Sequence, residues 1–147
     1  MPRKTPNQKF PETILEIKPW VDQRIEQIGH PLHSHYVEEF WLSILGPSSF
    51  LLLRRISKTF RVEPKGYSIR TEQLSLELGL GKKGGRHCAL WRAVERVCRF
   101  KAAKRNGPTL VVRNALPSLS PEQVSRLPPH LQLKHHYWPD QPPDTAA

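Results

Sequence analysis

The chain is poor in cysteine and has no long apolar segment, and each deficit argues against a class of protein. Its only two cysteines, Cys88 and Cys98, lie ten residues apart within one predicted helix, too far along the helix axis to bond. A disulfide-stapled scaffold is therefore not expected. No apolar run approaches the roughly 20 residues that a membrane span needs. The basic stretch MPRKTPNQKFPE lacks the apolar centre of a signal peptide, so we expect a cytosolic protein without membrane partners.

The motifs of common enzymes and metal sites are also missing. The stretch 79–86, GLGKKGGR, contains glycines and lysines but not the G-x-x-x-x-G-K-[ST] pattern of a phosphate-binding loop, and a leucine-rich helix precedes it. Histidines cluster at 30–35 and 130–136 without CxxC or HExxH spacing. We therefore predict a protein that is not an enzyme and that binds no metal or cofactor. One alternative stays open, in which Cys88, beside arginines at a helix start, senses oxidants.

Acidic residues are scarce in one part of the chain, and the positive charge is concentrated there. Residues 82–113 contain ten basic residues against the single acidic Glu95, a balance of +9, whereas the whole chain has a net charge of +10. A localised cationic surface attracts phosphate polymers over long distances and gains affinity by releasing their counterions. The alternative interpretation is a solvated basic face that keeps the protein soluble.

Apolar periodicity and capping residues predict a mainly α-helical fold with a small β-wing. Helices are expected at 19–28, 34–45, 48–60, 71–78, 87–101, 120–127 and 130–138, and strands at 67–70, 102–105 and 109–113. The expected organisation is a flexible basic tail at 1–18, a single domain at 19–138 with its core in 34–113 and C-terminal helices in 120–138, and a disordered tail at 139–147.

From residue 48 onwards the predicted order is helix, short strand, short helix, turn, longer helix and two-stranded hairpin. This order resembles the winged helix-turn-helix family over about residues 48–113, with extra helices on both sides. The resemblance implies that strand 67–70 pairs with the hairpin, that helix 87–101 enters the major groove of DNA, and that hairpin 102–113 is the wing. The turn before the second helix has about eight residues rather than three or four, which is similar to winged domains of replication initiators and of some uncharacterised actinobacterial proteins.

The predicted helix 87–101 separates apolar from basic side chains. Leu90, Val94 and Val97 share one arc, and arginines spaced i, i+4, i+7 lie opposite, long enough to reach guanine edges or phosphates. The helix start adds free N–H groups for a phosphate. The residues predicted to contact DNA, from the turn, the helix and the wing, are Lys82, Lys83, Arg86, His87, Arg92, Arg96, Arg99, Lys104 and Arg105.

These observations lead us to expect a nucleoid-associated protein that binds double-stranded DNA and regulates transcription. The same contacts would serve the replication or partition of a plasmid or phage genome. A different class is a protein- or RNA-interaction module on a winged-helix scaffold. Helices 34–45 and 121–138 either complete the core or form a homodimer interface that reads two half-sites, and both alternatives stay open.

Overall fold

The computed structural model describes residues 9–139, which form an α/β fold with seven α-helices and a small mixed sheet. The helices are α1 (Gln23–Ile28), α2 (Leu42–Leu45), α3 (Pro47–Phe60), α4 (Thr71–Glu77), α5 (Ala89–Arg99), α6 (Pro121–Ser125) and α7 (Pro129–His136). The strands are β1 (Ile14–Pro19), β2 (His30–Pro31), β3 (Tyr67–Arg70), β4 (Ala103–Asn106), β5 (Thr109–Val112) and β6 (Ala115–Leu116). A π-helical stretch, Val37–Trp41, runs directly into α2. Within the described residues no helix has the length and apolar character needed to cross a membrane.

One of the two inner strands of the four-stranded sheet is β1, which lies in the segment predicted to be a flexible tail. The strand order is β3-β1-β5-β4, with β1 antiparallel to β3 and parallel to β5. Leu15 and Ile17 are fully buried, and the side chains of Ile14, Glu16 and Lys18, which alternate with them, are exposed. This is the alternation of a half-buried strand. The tail prediction is therefore wrong for residues 14–18. Residues 1–8 and 140–147 of the two predicted tails lie outside the described part of the chain.

The short strand β3 pairs with β1 and not with the hairpin. Leu15 lies opposite Ile69 on one side of β1, and Ile17 lies opposite Leu110 on the other. The pairing implied by the winged-helix resemblance is therefore wrong, because β1 occupies the position between β3 and the hairpin. The chain before β3 passes so close to β1 that only glycine fits at position 66. Gly66 has a φ of +109°, and a Cβ there would lie 2.5 Å from the carbonyl oxygen of Ile17.

The hairpin itself is confirmed, and so are the helices that lead to it. Strands β4 and β5 pair antiparallel around a turn at Gly107. Helix α5 begins two residues later than predicted because Cys88 is its N-cap, with Sγ accepting the N–H of Trp91 at 3.4 Å. It ends at Arg99 because Lys101 adopts a left-handed φ of +61°. The N–H of Ala102 then donates to the carbonyl of Val97 at 2.9 Å, which closes the helix.

The C-terminal helices pack back onto the π-helical segment. The Ser120 and Gln123 side chains form the predicted capping box at the start of α6. The Trp138 ring meets the Phe40 ring edge-on at 5.0 Å, and Trp138 packs against the core. By contrast, Tyr137 is 74% exposed. Residues 129–138 therefore contribute to this chain's own core, and the homodimer stays a prediction.

His30 and His135, which belong to separate histidine clusters in the sequence, both contact the side chain of Tyr36. The His30 ring stacks on Tyr36 at 3.8 Å, and its Nε2 is 2.9 Å from the Ser118 hydroxyl. His135 Nε2 lies 2.8 Å from the Tyr36 hydroxyl. Burial lowers the pKa of both histidines, and the proximity of His135 lowers the pKa of His30 further.

We expect the protein to lose stability as the pH falls below about 6.5, the ordinary pKa of histidine. Between the lowered pKa values and 6.5 the unfolded chain binds more protons than the folded one, so acid favours unfolding. This contribution is fully present above 6.5 and is lost as the pH falls towards the lowered values. Urea unfolding at pH values of about 7.5 and 5.5 measures it. His135→Gln should reduce the pH dependence, whereas His130→Gln, exposed on the same helix, should retain it. An unchanged pH dependence in His135→Gln would contradict this account.

Candidate functional site

The loop between α4 and α5, residues 78–88, is anchored at both ends. At its start the buried Ser75 hydroxyl donates to the carbonyl of Gly81 at 2.6 Å. Towards its end Gly85 is buried with a φ of +94°, and its N–H donates to the carbonyl of Lys9 at 2.8 Å. The segment between these anchors is exposed. The loop is longer than the eight residues predicted because α4 ends early and Cys88 caps α5.

A groove of about 440 Å³ lies between this loop and the first half of α5. Lys83, Arg86, His87 and Arg92 line it, and all four side chains are exposed. The start of α5 also forms part of the wall, so the positive end of the helix dipole adds to the potential there. Within residues 9–139 no carboxylate forms an ion pair with Lys83, Arg86 or Arg92. The structure therefore places Lys83, Arg86 and Arg92 along one groove, whereas Lys82 does not line it.

Helix α5 has the two faces that its sequence predicts. Its buried face consists of Leu90, Trp91, Ala93, Val94 and Val97, and it packs mainly on α3. Arg92 and Arg99 are on the exposed face. Glu95 shares this face, which places a negative charge next to both arginines.

Arg96, also on this helix, is engaged by the fold. Its Nη2 donates to the carbonyl of Ile44 at 3.0 Å, and the guanidinium lies 6.0 Å from the Phe100 ring centre. Ile44 is in the last turn of α2, where carbonyls have no partner within the helix. Arg96 therefore caps α2 from a neighbouring helix and does not project freely beside Arg92. The sequence gives no local indication of this contact, because its two partners are far apart along the chain.

Replacing Arg96 with alanine should destabilise the protein by about 1 kcal/mol, since a charge-assisted hydrogen bond is lost at a partly exposed position. Arg92→Ala is the matched control on the same helix and should change the free energy of unfolding by less than about 0.5 kcal/mol. Urea unfolding of the two variants measures the difference. Equal effects would show that the Arg96 contact contributes nothing to stability.

The two basic residues predicted for the wing are held against the surface of the domain. Lys104 Nζ lies 4.3 Å above the ring of Trp20, and Arg113 stacks on that ring at 3.6 Å. Arg105 donates to the carbonyl of Gly107 at 2.8 Å and stacks over the Trp91 ring at 5.1 Å. Lys104 is exposed and its charge has no carboxylate partner within residues 9–139, whereas Arg105 is 3.8 Å from a Glu12 carboxylate oxygen. Sequence reasoning missed Trp20 because its partners, Lys104 and Arg113, are distant from it along the chain.

Both cysteines of the chain are at least partly shielded from solvent. Cys88 is buried and Cys98 is half-buried, and both are free thiols. Burial raises the pKa of the Cys98 thiol, which makes it less reactive. Within residues 9–139 no group of three or more His, Cys, Asp or Glu side chains is arranged to hold a metal ion.

Comparison of the chain with known protein families, with curated proteins and with solved structures finds no match. The observations that bear on function are therefore the mixed α/β fold, the anchored loop and the cationic groove beside α5.

Proposed function

We propose that this protein binds double-stranded DNA through loop 78–88 and the first half of α5. The observation that supports this proposal is the groove in which Lys83, Arg86 and Arg92 converge beside a helix start, without a paired carboxylate in the described residues. A polyanion gains most from such a surface, because each unpaired cation that it meets releases a condensed counterion.

The dimensions of α5 suit the major groove. Its 11 residues span about 16 Å, and a single α-helix fits a groove about 12 Å wide. Arg92 lies on the exposed face in the first half of α5 and reads base edges in this proposal. Lys82, Lys83, Arg86 and His87 contact phosphates from the loop, and Arg99 and Lys104 contact the backbone further along. Arg96 and Arg105 act through the fold.

We infer that residues 47–112 form a variant of the winged helix-turn-helix. The order α3, β3, α4, α5, β4, β5 is that of the family, which supports the inference. In this variant β1 has entered the sheet between β3 and the wing. The wing is then tied to β1 by parallel pairing, which restricts how far it can move towards DNA.

A salt titration tests DNA binding. A fluorescently labelled duplex of about 30 base pairs should bind the full chain, with log K falling against log salt at a slope of about −4, as expected for four to five phosphate contacts. Lys82→Ala should lower affinity equally for all sequences and reduce the slope by about 1, whereas Arg92→Ala should also relax sequence preference. If no duplex binds at low salt, the proposal is wrong.

The cellular role that we propose is transcription regulation in the nucleoid. Genome-wide immunoprecipitation of the tagged protein tests it. Peaks at promoters would support regulation, and one origin-like peak would replace it with replication or partition of a plasmid or phage genome.

A further inference from the structure

A second groove lies along α3, on a different surface from the proposed DNA contact. It has a volume of about 480 Å³ and shares no lining residue with the groove beside loop 78–88. Leu51 and residues 54–55 and 57–58 of α3, with its C-cap Arg61, form much of its lining, and residues 32–33 and 77–78 complete it. Of loop 78–88 only Leu78 belongs to this second groove, so a ligand there would leave Arg92 and the loop residues that line the first groove uncovered.

The groove is strongly cationic. Arg54, Arg55, Lys58 and Arg61 line it against the single carboxylate of Glu77. Arg55 Nη1 lies 3.6 Å from Glu77 and Arg54 Nη1 lies 3.0 Å from Glu38, and all of these side chains are at least one third exposed. Exposed ion pairs of this kind contribute about 0–1 kcal/mol, so an incoming carboxylate can replace them at low cost. No carboxylate within residues 9–139 pairs with Lys58 or Arg61.

The same groove also contains exposed apolar surface. Leu51 is 51% exposed and precedes Arg54 and Arg55 by one helical turn. Leu78 is half-buried on the α4 side. Apolar side chains between cations suit a ligand that is both acidic and apolar, whereas a phosphate backbone has no surface to match Leu51.

We propose that the α3 groove binds an acidic amphipathic segment of a partner protein, with its apolar side on Leu51 and Leu78 and its carboxylates on Arg54, Lys58 and Arg61. Helix α3 has 14 residues and spans about 21 Å, so an amphipathic helix of similar length can lie along it. The inference does not depend on DNA binding, because the two grooves are separate.

Fluorescence anisotropy of a labelled peptide tests this proposal with the full chain. The probe is a helical peptide of about 14 residues composed of Glu and Leu at amphipathic spacing. Lys58→Glu together with Arg61→Glu should weaken its binding at least about tenfold, and Leu51→Ser should weaken it about fivefold. The matched control, Arg24→Glu with Lys65→Glu, reverses two exposed charges elsewhere and should change binding less than about twofold.

The same variants are titrated with duplex DNA. The proposal predicts that the α3 pair lowers DNA affinity no more than the control pair does. A larger loss of DNA affinity from the α3 pair, with peptide binding unaffected, would overturn the proposal and make α3 a second nucleic-acid surface. Failure of the peptide to bind, or equal binding of a Glu/Ser peptide without leucines, would also overturn it. Neither of these two peptide results bears on DNA binding at α5.

Discussion

Arg86→Glu combined with Arg92→Glu should weaken duplex DNA binding by about 100-fold at low salt. The double variant removes the phosphate contact of Arg86 and the base contact of Arg92 and adds two repulsions. About 0.7 kcal/mol for each of these four effects gives this factor. Both side chains are exposed and line the groove beside α5, so the fold should be unaffected. Anisotropy of a labelled duplex measures the affinity, and urea unfolding checks the stability.

The charge-matched control for this variant is Arg24→Glu with Lys65→Glu. Both pairs lower the net charge by the same amount, so any loss from long-range attraction is common to them. The control should lose less than about fivefold in affinity. If both pairs weaken binding equally, the interaction is with the overall charge of the protein and the groove has no special role.

Removing residues 1–19 should abolish folding, and this is the largest structural effect we expect. The deletion takes away β1, which pairs with both β3 and β5, together with the fully buried Leu15 and Ile17. Truncating one such side chain costs about 2–5 kcal/mol, and a domain of this size has only about 5–15 kcal/mol of stability. Circular dichroism and limited proteolysis of a chain that begins at Trp20 measure the outcome.

Two controls separate the role of β1 from that of the segment before it. A chain that begins at Lys9 retains β1 and the hydrogen bond from Gly85 to Lys9, so it should still fold. Ile17→Ala should cost about 2–5 kcal/mol, whereas Ile14→Ala, at a side chain that is 49% exposed, should cost less than about 1.5 kcal/mol. Equal costs, or a folded chain beginning at Trp20, would contradict the inner position of β1.

Most of the helices were predictable because their start and stop residues are local. Two predictions were partly wrong, since α1 begins at Gln23 rather than at residue 19, and residues 37–41 of the helix expected at 34–45 are π-helical. Ser120 and Gln123 cap α6, and Gly46-Pro47 separates α2 from α3. Strand β1 was missed although its sequence alternates, because a short strand among prolines and charges resembles a tail until its partners are known. Those partners lie about 50 and about 90 residues further along the chain, and such pairing leaves no local trace.

The same distinction applies to the candidate site. The concentration of cations in residues 82–113 and the two faces of α5 could be read from the sequence, since both are local properties. Which of these cations stay free to bind a ligand could not be read from the sequence. Tertiary contacts engage Arg96 with the carbonyl of Ile44, and Arg105 with Trp91 and Glu12. The α3 groove was overlooked for a related reason. Residues 54–61 contain four basic residues and no acidic one, but that these cations line one groove with residues 32–33 and 77–78 follows only from the tertiary packing.

The most direct test of the central claim is an amide chemical-shift titration of the isotopically labelled full chain with a short duplex. Contact through the loop and the first half of α5 predicts that the largest shifts fall within residues 81–92, with smaller ones around Lys104, and that they diminish as salt is raised. Shifts concentrated on residues 54–61, at the end of α3, or no shifts at low salt, would contradict the assignment of DNA binding to this surface.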